Sequence, residues 1–96
     1  MIDLRPVCEN CAKELPANSL EAMICSFECT FCSTCVEDIL HNVCPNCGGG
    51  FSRRPIRPVD QLSKHPVSTV KIFSPINTKD FEVVSAKYRH VPPEER

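Results

Sequence analysis

Apolar and polar positions change rhythm along this 96-residue chain. From Met23 through Cys25, Phe27 and Cys29 to Phe31 they alternate closely enough to predict a short β-hairpin. Just beyond, Val36, Ile39, Leu40 and Val43 fall at i, i+3, i+4 and i+7, which predicts one apolar face of a short helix. Thr34 and Glu37 have the spacing of a capping box, with Thr34 as N-cap and Glu37 at the third helical position. Glu37 and Asp38 put negative charge in the first turn, where the helix dipole favours it. Ile24, Phe27, Phe31, Ile39 and Leu40 are the expected small core.

The second half reads differently. Phe51-Ser52-Arg53-Arg54-Pro55-Ile56-Arg57-Pro58 is a basic strip whose prolines exclude a helix and favour extended backbone. The runs from Val67 to Phe73 and from Phe81 to Tyr88 are rich in β-formers, and the stretch from Ser74 to Asp80 between them reads as a turn. A β-hairpin is the expectation. An isolated hairpin is marginal in water, so this extension must pack on the first half or on a partner, or stay partly disordered. The expected organisation is a folded unit over residues 4–50, a basic proline-rich linker over 51–66 and the hairpin extension over 67–90. The end from Val91 to Arg96 is expected to fray.

Charge sharpens this division. Residues 1–50 carry two basic and seven acidic side chains, a balance of −5, and residues 51–96 carry nine basic and five acidic ones, a balance of +4. The halves therefore attract each other, or each seeks its own partner. No run of eighteen apolar residues is present, so no membrane span is expected. Residues Met1 to Pro6 lack the apolar run of a secretory leader, so a reducing cytoplasm is the expected setting.

All eight cysteines lie in the first half: Cys8-x2-Cys11, Cys25-x3-Cys29, Cys32-x2-Cys35 and Cys44-x2-Cys47. A Cys-x2-Cys turn aims two sulfurs at one point about 2.3 Å from each, which suits tetrahedral Zn2+. In Cys44-Pro45-Asn46-Cys47-Gly48, Pro45 presets φ and Gly48 can take the positive φ that closes a knuckle. Asn10 is the expected left-handed residue of the first couple. A disulfide scaffold needs an oxidising compartment. A ferredoxin-type cluster needs a different interval before Cys44-Pro45 and leaves four cysteines unused. A thioredoxin-like pair needs a βαβ context. Two structural Zn2+ ions account for all eight ligands, and a unit of about fifty residues needs such staples to fold. With two tetrathiolate sites the first half would approach about −9. His41, three residues before Cys44, is expected to cap the helix or face solvent; His65 and His90 are expected on the surface.

Spacing alone leaves two wirings open. Successive couples could share an ion, or the couples could interleave. The array resembles the RING family, with Cys29 standing where most RINGs have histidine. That resemblance implies a small metal-stabilised α+β fold with a cross-brace: Cys8, Cys11, Cys32 and Cys35 on one ion, and Cys25, Cys29, Cys44 and Cys47 on the other. A closer likeness is carried by the run from Glu21 to Cys32, by Cys44-Pro45-Asn46-Cys47-Gly48-Gly49 and by Arg53-Arg54-Pro55. These residues look like a small bacterial family catalogued as Domain of Unknown Function family number 1272, over roughly residues 4–58. It implies a metal-binding cytoplasmic protein and brings no assigned activity.

Eight cysteines close both sites, so no catalytic residue is expected. The leading expectation is a structural-zinc module with a protein partner, of open oligomeric state and pathway. Nucleic acid held by Arg53, Arg54 and Arg57 is the rival binding reading. Ubiquitin-ligase-like action is the enzymatic one, and it is weakened by Glu9-Asn10 and Gly48 at positions where RING ligases carry contact residues.

Overall fold

A hairpin built around a cysteine loop organises the first half. In the computed structural model, which describes residues 1–96, β1 (Ala22–Ile24) and β2 (Thr30–Cys32) are antiparallel, with Ala22 opposite Cys32, Met23 opposite Phe31 and Ile24 opposite Thr30. The connecting loop is the Cys25-x3-Cys29 couple itself. β3 (Ser52–Arg53) adds to the free edge of β1, giving the order β2-β1-β3. The strip expected as a linker thus begins as a strand of the sheet. Its prolines stand just past the paired residues, where no ladder hydrogen bond is lost.

Helix α1 (Ser33–Asp38) follows β2 without a break. The expected capping box does not form. Cys32 is the N-cap, makes no side-chain cap bond, and Thr34 already lies inside the first turn. The start is displaced because the Ser33 N–H is tied at 2.8 Å to the Glu21 carbonyl as the strand ends. The helix also stops early, at Ile39. The Leu40 N–H reaches back to the Cys35 carbonyl and the Asn42 N–H to that of Val36, while His41 and Asn42 take left-handed φ values of 50° and 59°. The expected apolar face is therefore divided. Val36, Leu40 and Val43 are buried and Ile39 is exposed.

The core gathers Leu15, Ala22, Phe31, Val36, Leu40 and Val43 around buried cysteines. Phe31 meets Phe51 edge-on at 5.5 Å. Phe27, expected in the core, is 71% exposed. It sits at the tip of the Cys25–Cys29 loop, where Glu28 turns left-handed at φ 65° and the strand alternation no longer applies.

The expected β-hairpin over 67–90 is not formed. Residues 62–77 carry no regular element, and α2 (Thr78–Tyr88) is an eleven-residue helix. Asn77 caps it, its side chain accepting from the Lys79 and Asp80 N–H groups. Phe81 and Ser85 are buried, and Val84 and Tyr88 pack on the core. The cap and the 81/84/85/88 spacing outweigh the β-propensity of Phe81, Val83 and Val84. Single 3₁₀ turns lie at Val59–Gln61 and Pro93–Glu95.

The basic strip serves the fold. Arg54 is 2% exposed, and its guanidinium donates to the carbonyls of Arg5 (2.8 Å), Leu15 (3.1 Å) and Pro16 (2.9 Å). Arg57 donates to the carbonyls of Ile2 and His65 at 2.7 and 2.8 Å. Cross-half attraction is not expressed as ion pairs: Arg5–Glu9, Lys13–Glu21 and Arg89–Glu82 each fall within one half. Backbone carbonyls receive the arginines instead.

Candidate metal centre

Two knuckles with one backbone design hold four of the sulfurs. In the first, the Cys8 N–H donates to the Lys13 carbonyl (2.9 Å) and the Ala12 N–H to the Cys8 carbonyl (3.0 Å). In the second, the Cys44 N–H donates to the Gly49 carbonyl (2.8 Å) and the Gly48 N–H to the Cys44 carbonyl (2.8 Å). The left-handed residue follows the second cysteine in both: Ala12 at φ 62° and Gly48 at φ 79°. Gly48 has the conformation expected of it. In the first knuckle Ala12, and not Asn10, takes the left-handed turn.

The other four cysteines sit on the hairpin and α1. Cys25 and Cys29 bound the hairpin loop, Cys32 ends β2, and Cys35 lies in the first turn of α1. The fold brings the sulfurs together by alternate couples. Those of Cys8, Cys11, Cys32 and Cys35 all lie within 4.8 Å of one another, and so do those of Cys25, Cys44 and Cys47. Cys29 stands outside this second group, and its sulfur accepts from Asn46 Nδ2 at 3.4 Å. None of the eight is joined in a disulfide.

These groups could hold metal ions, and their chemistry fits a soft divalent cation. Metal–sulfur bonds of about 2.3 Å require tetrahedral S···S edges of about 3.8 Å. The Cys11 and Cys32 sulfurs are 3.7 Å apart. Hydrogen-bond donors suited to thiolates surround the clusters: Asn10 Nδ2 to Cys35 Sγ (3.3 Å), the Phe27 N–H to Cys25 Sγ (3.4 Å) and the Gly49 N–H to Cys47 Sγ (3.4 Å). Burial pushes the thiols of Cys29, Cys32, Cys35 and Cys44 above the ordinary thiol range. At Cys11 burial also raises the value, but the Lys13 backbone and the Cys8, Cys32 and Cys35 thiols together carry it below that range. Crowded, buried thiols resist ionising because no positive charge compensates them. A divalent cation supplies that charge.

The roles of three residues here are not legible in the cysteine spacing. Asn10 and Asn46 hold equivalent places in Cys8-Glu9-Asn10-Cys11 and Cys44-Pro45-Asn46-Cys47, and each donates to a sulfur of another couple. The repeated Cys-x-Asn-Cys was the available signal. Glu9 is buried, accepts from the Thr30 N–H at 2.8 Å and pairs with Arg5 at 3.1 Å. Its burial depends on Thr30, twenty-one residues away, and has no local signature. His41, His65 and His90 are exposed and join neither cluster.

Fold and site together define a small α+β protein built around two cysteine clusters that could hold metal ions, with a C-terminal helix packed on it. Residues 1–57 match the model of the family described as Protein of unknown function (DUF1272). An uncharacterized protein of Rhizobium meliloti (strain 1021) is 53% identical over 75 residues, covering 78% of this chain and 89% of that protein. The chain belongs to the DUF1272 family. No solved structure matches it. No helix is long and apolar enough to cross a membrane.

Proposed function

We propose that this chain is a structural zinc protein that presents a protein-interaction surface in the bacterial cytoplasm. Cys8, Cys11, Cys32 and Cys35 hold one Zn2+, and Cys25, Cys29, Cys44 and Cys47 the other, in the interleaved manner of a RING cross-brace. The observation that carries this reading is the grouping of sulfurs by alternate couples. Such grouping ties residues 8–11 to 32–35 and 25 to 44–47, so each ion would clasp segments that a small core holds weakly. Four thiolates per ion close the coordination sphere, which supports a structural role over catalysis.

A protein partner is favoured over nucleic acid because two of the three strip arginines are already spent. Arg54 and Arg57 donate to backbone carbonyls, leaving Arg53 exposed. Exposed Phe27, at the loop tip between Cys25 and Cys29, offers apolar surface of the kind protein interfaces use. Ligase-like action is disfavoured by the burial of Glu9 and by Tyr88 lying over Gly48. In RING ligases the corresponding positions meet the conjugating enzyme and ubiquitin.

Elemental analysis of reduced protein purified without chelator tests the reading. Two zinc ions per chain are expected, with loss of secondary structure by circular dichroism when excess chelator removes them. One ion or none, or a fold indifferent to chelator, would sink it.

A further inference from the structure

The C-terminal segment reaches the cysteine clusters through the groups that surround them. The Ser74 N–H donates to the Glu9 carbonyl at 2.7 Å, inside the first knuckle. The Ile76 N–H donates to Asn10 Oδ1 at 2.9 Å, while Nδ2 of the same amide donates to Cys35 Sγ at 3.3 Å. One side chain thus joins this segment to a sulfur of the first cluster. Farther on, Phe81 enters the buried core that contains Cys8 and Cys44. Tyr88 lies on Gly48, next to Cys47, so closely that a Cβ there would stand 2.8 Å from its ring. Arg96 donates to the Asn42 carbonyl at 2.7 Å, and Pro93 packs against Gly50.

We propose that residues 74–96 form a retaining strap along one side of the metal centre, leaving Cys11 and Cys47 exposed, and that ions leave faster once the strap has lifted. This rests on the zinc reading above. A docked strap holds Asn10 on Cys35 and covers the backbone beside Cys47. A lifted strap frees the Asn10 amide and leaves the core around Phe81 open to water and to competing ligands. Because docking and occupancy share these contacts, each stabilises the other. Release through a minor open state then scales with the population of that state.

The strap can be weakened or strengthened without touching a cysteine. Asn77 is exposed and caps α2, and Val83 is 74% exposed on its outer face. Losing the cap raises the lifted population about five-fold. Val83→Ala improves helix propensity and lowers that population about two-fold. The test follows zinc transfer from the full zinc-loaded chain to an excess of chromogenic chelator, with hydrogen exchange of the α2 amides read in parallel. Asn77→Ala is expected to release zinc about five-fold faster and Val83→Ala about two-fold slower, with amide exchange changing by the same factors. Exchange of the β1 and β2 amides, unchanged in both variants, separates lifting of the strap from opening of the whole fold; β-sheet exchange that moves with the release rate would overturn the strap. Two bound ions and one common release rate in all three proteins would overturn the strap and leave the zinc reading standing. A parent chain that binds fewer than two ions would overturn both.

Discussion

The two cysteine clusters share a knuckle and differ in what closes it. Cys8–Ala12 and Cys44–Gly48 make the same backbone hydrogen bonds and the same left-handed exit. The first knuckle meets Cys32 and Cys35, which stand on the end of a strand and the start of a helix. The second meets Cys25 alone, and Cys25 and Cys29 bound a hairpin loop with an exposed Phe27 at its tip. Four sulfurs converge in the first case and three in the second. Regular elements preorganise the first group, whereas the loop with its extra residue leaves Cys29 outside the sulfurs that converge.

That contrast is broken most severely at the cysteines. Cys35→Ser should remove the first ion and with it most of a binding free energy on the order of 10 kcal/mol, leaving a chain without cooperative thermal unfolding. Cys29→Ser should cost less, because three sulfurs already converge without it. Equal losses of metal and melting temperature in the two variants would erase the distinction between the clusters.

Arg54 offers a sharper probe of the first cluster alone. Its three acceptor carbonyls belong to Arg5, Leu15 and Pro16, on the two sides of the first knuckle. Arg54→Met should leave them unsatisfied and cost about 3 kcal/mol or more in chemical denaturation. The first ion should be released faster and the second at an unchanged rate.

Acidity should act on both clusters with the same sign. Cys32 and Cys35 in one, and Cys29 and Cys44 in the other, are held above the ordinary thiol range by burial. Without metal these four thiols, opposed by Cys11 alone, make the folded chain bind more protons than the unfolded one, and its stability should fall as pH rises through the thiol range. Metal reverses this, since ligation expels those protons. With two to four protons displaced per ion, affinity should rise about 100-fold to 10,000-fold per pH unit near neutrality. Competition titrations at two pH values give the slope, and a flat response would contradict thiolate ligation.

The smallest effects belong to the asparagines. Asn10→Ala and Asn46→Ala each remove one N–H···S bond, expected to cost about 1 kcal/mol and about ten-fold in metal affinity. Asn10→Ala should cost somewhat more, since that side chain also holds Ile76. Chelator competition resolves the two.

What could be read in the residues follows from how local each feature is. Knuckle turns are set by neighbours within five residues, so Gly48 and the hairpin flanking Cys25 and Cys29 were legible. Alternation misplaced Phe27 because the period of two runs on through a loop that is no longer pleated. The stretch from Ser74 to Asp80 reads as a turn, although Asn77 to Asp80 are the cap and first turn of α2. Its β-forming residues misled because the tertiary surface that receives Phe81, Val84 and Tyr88 is invisible in the local run. Arg54 could not be assigned to the interior, because its acceptors lie thirty-eight or more residues away. Which couples meet was likewise beyond spacing alone, since both wirings use the same intervals.

The interleaved wiring can be read ligand by ligand. Loading the reduced chain with 113Cd and correlating each cadmium signal with the cysteine Hβ protons identifies the ligands of each ion. Interleaved wiring gives two signals, one coupled to Cys8, Cys11, Cys32 and Cys35 and the other to Cys25, Cys29, Cys44 and Cys47. A signal joining Cys8 and Cys11 to Cys25 and Cys29, or a single cadmium per chain, would contradict it.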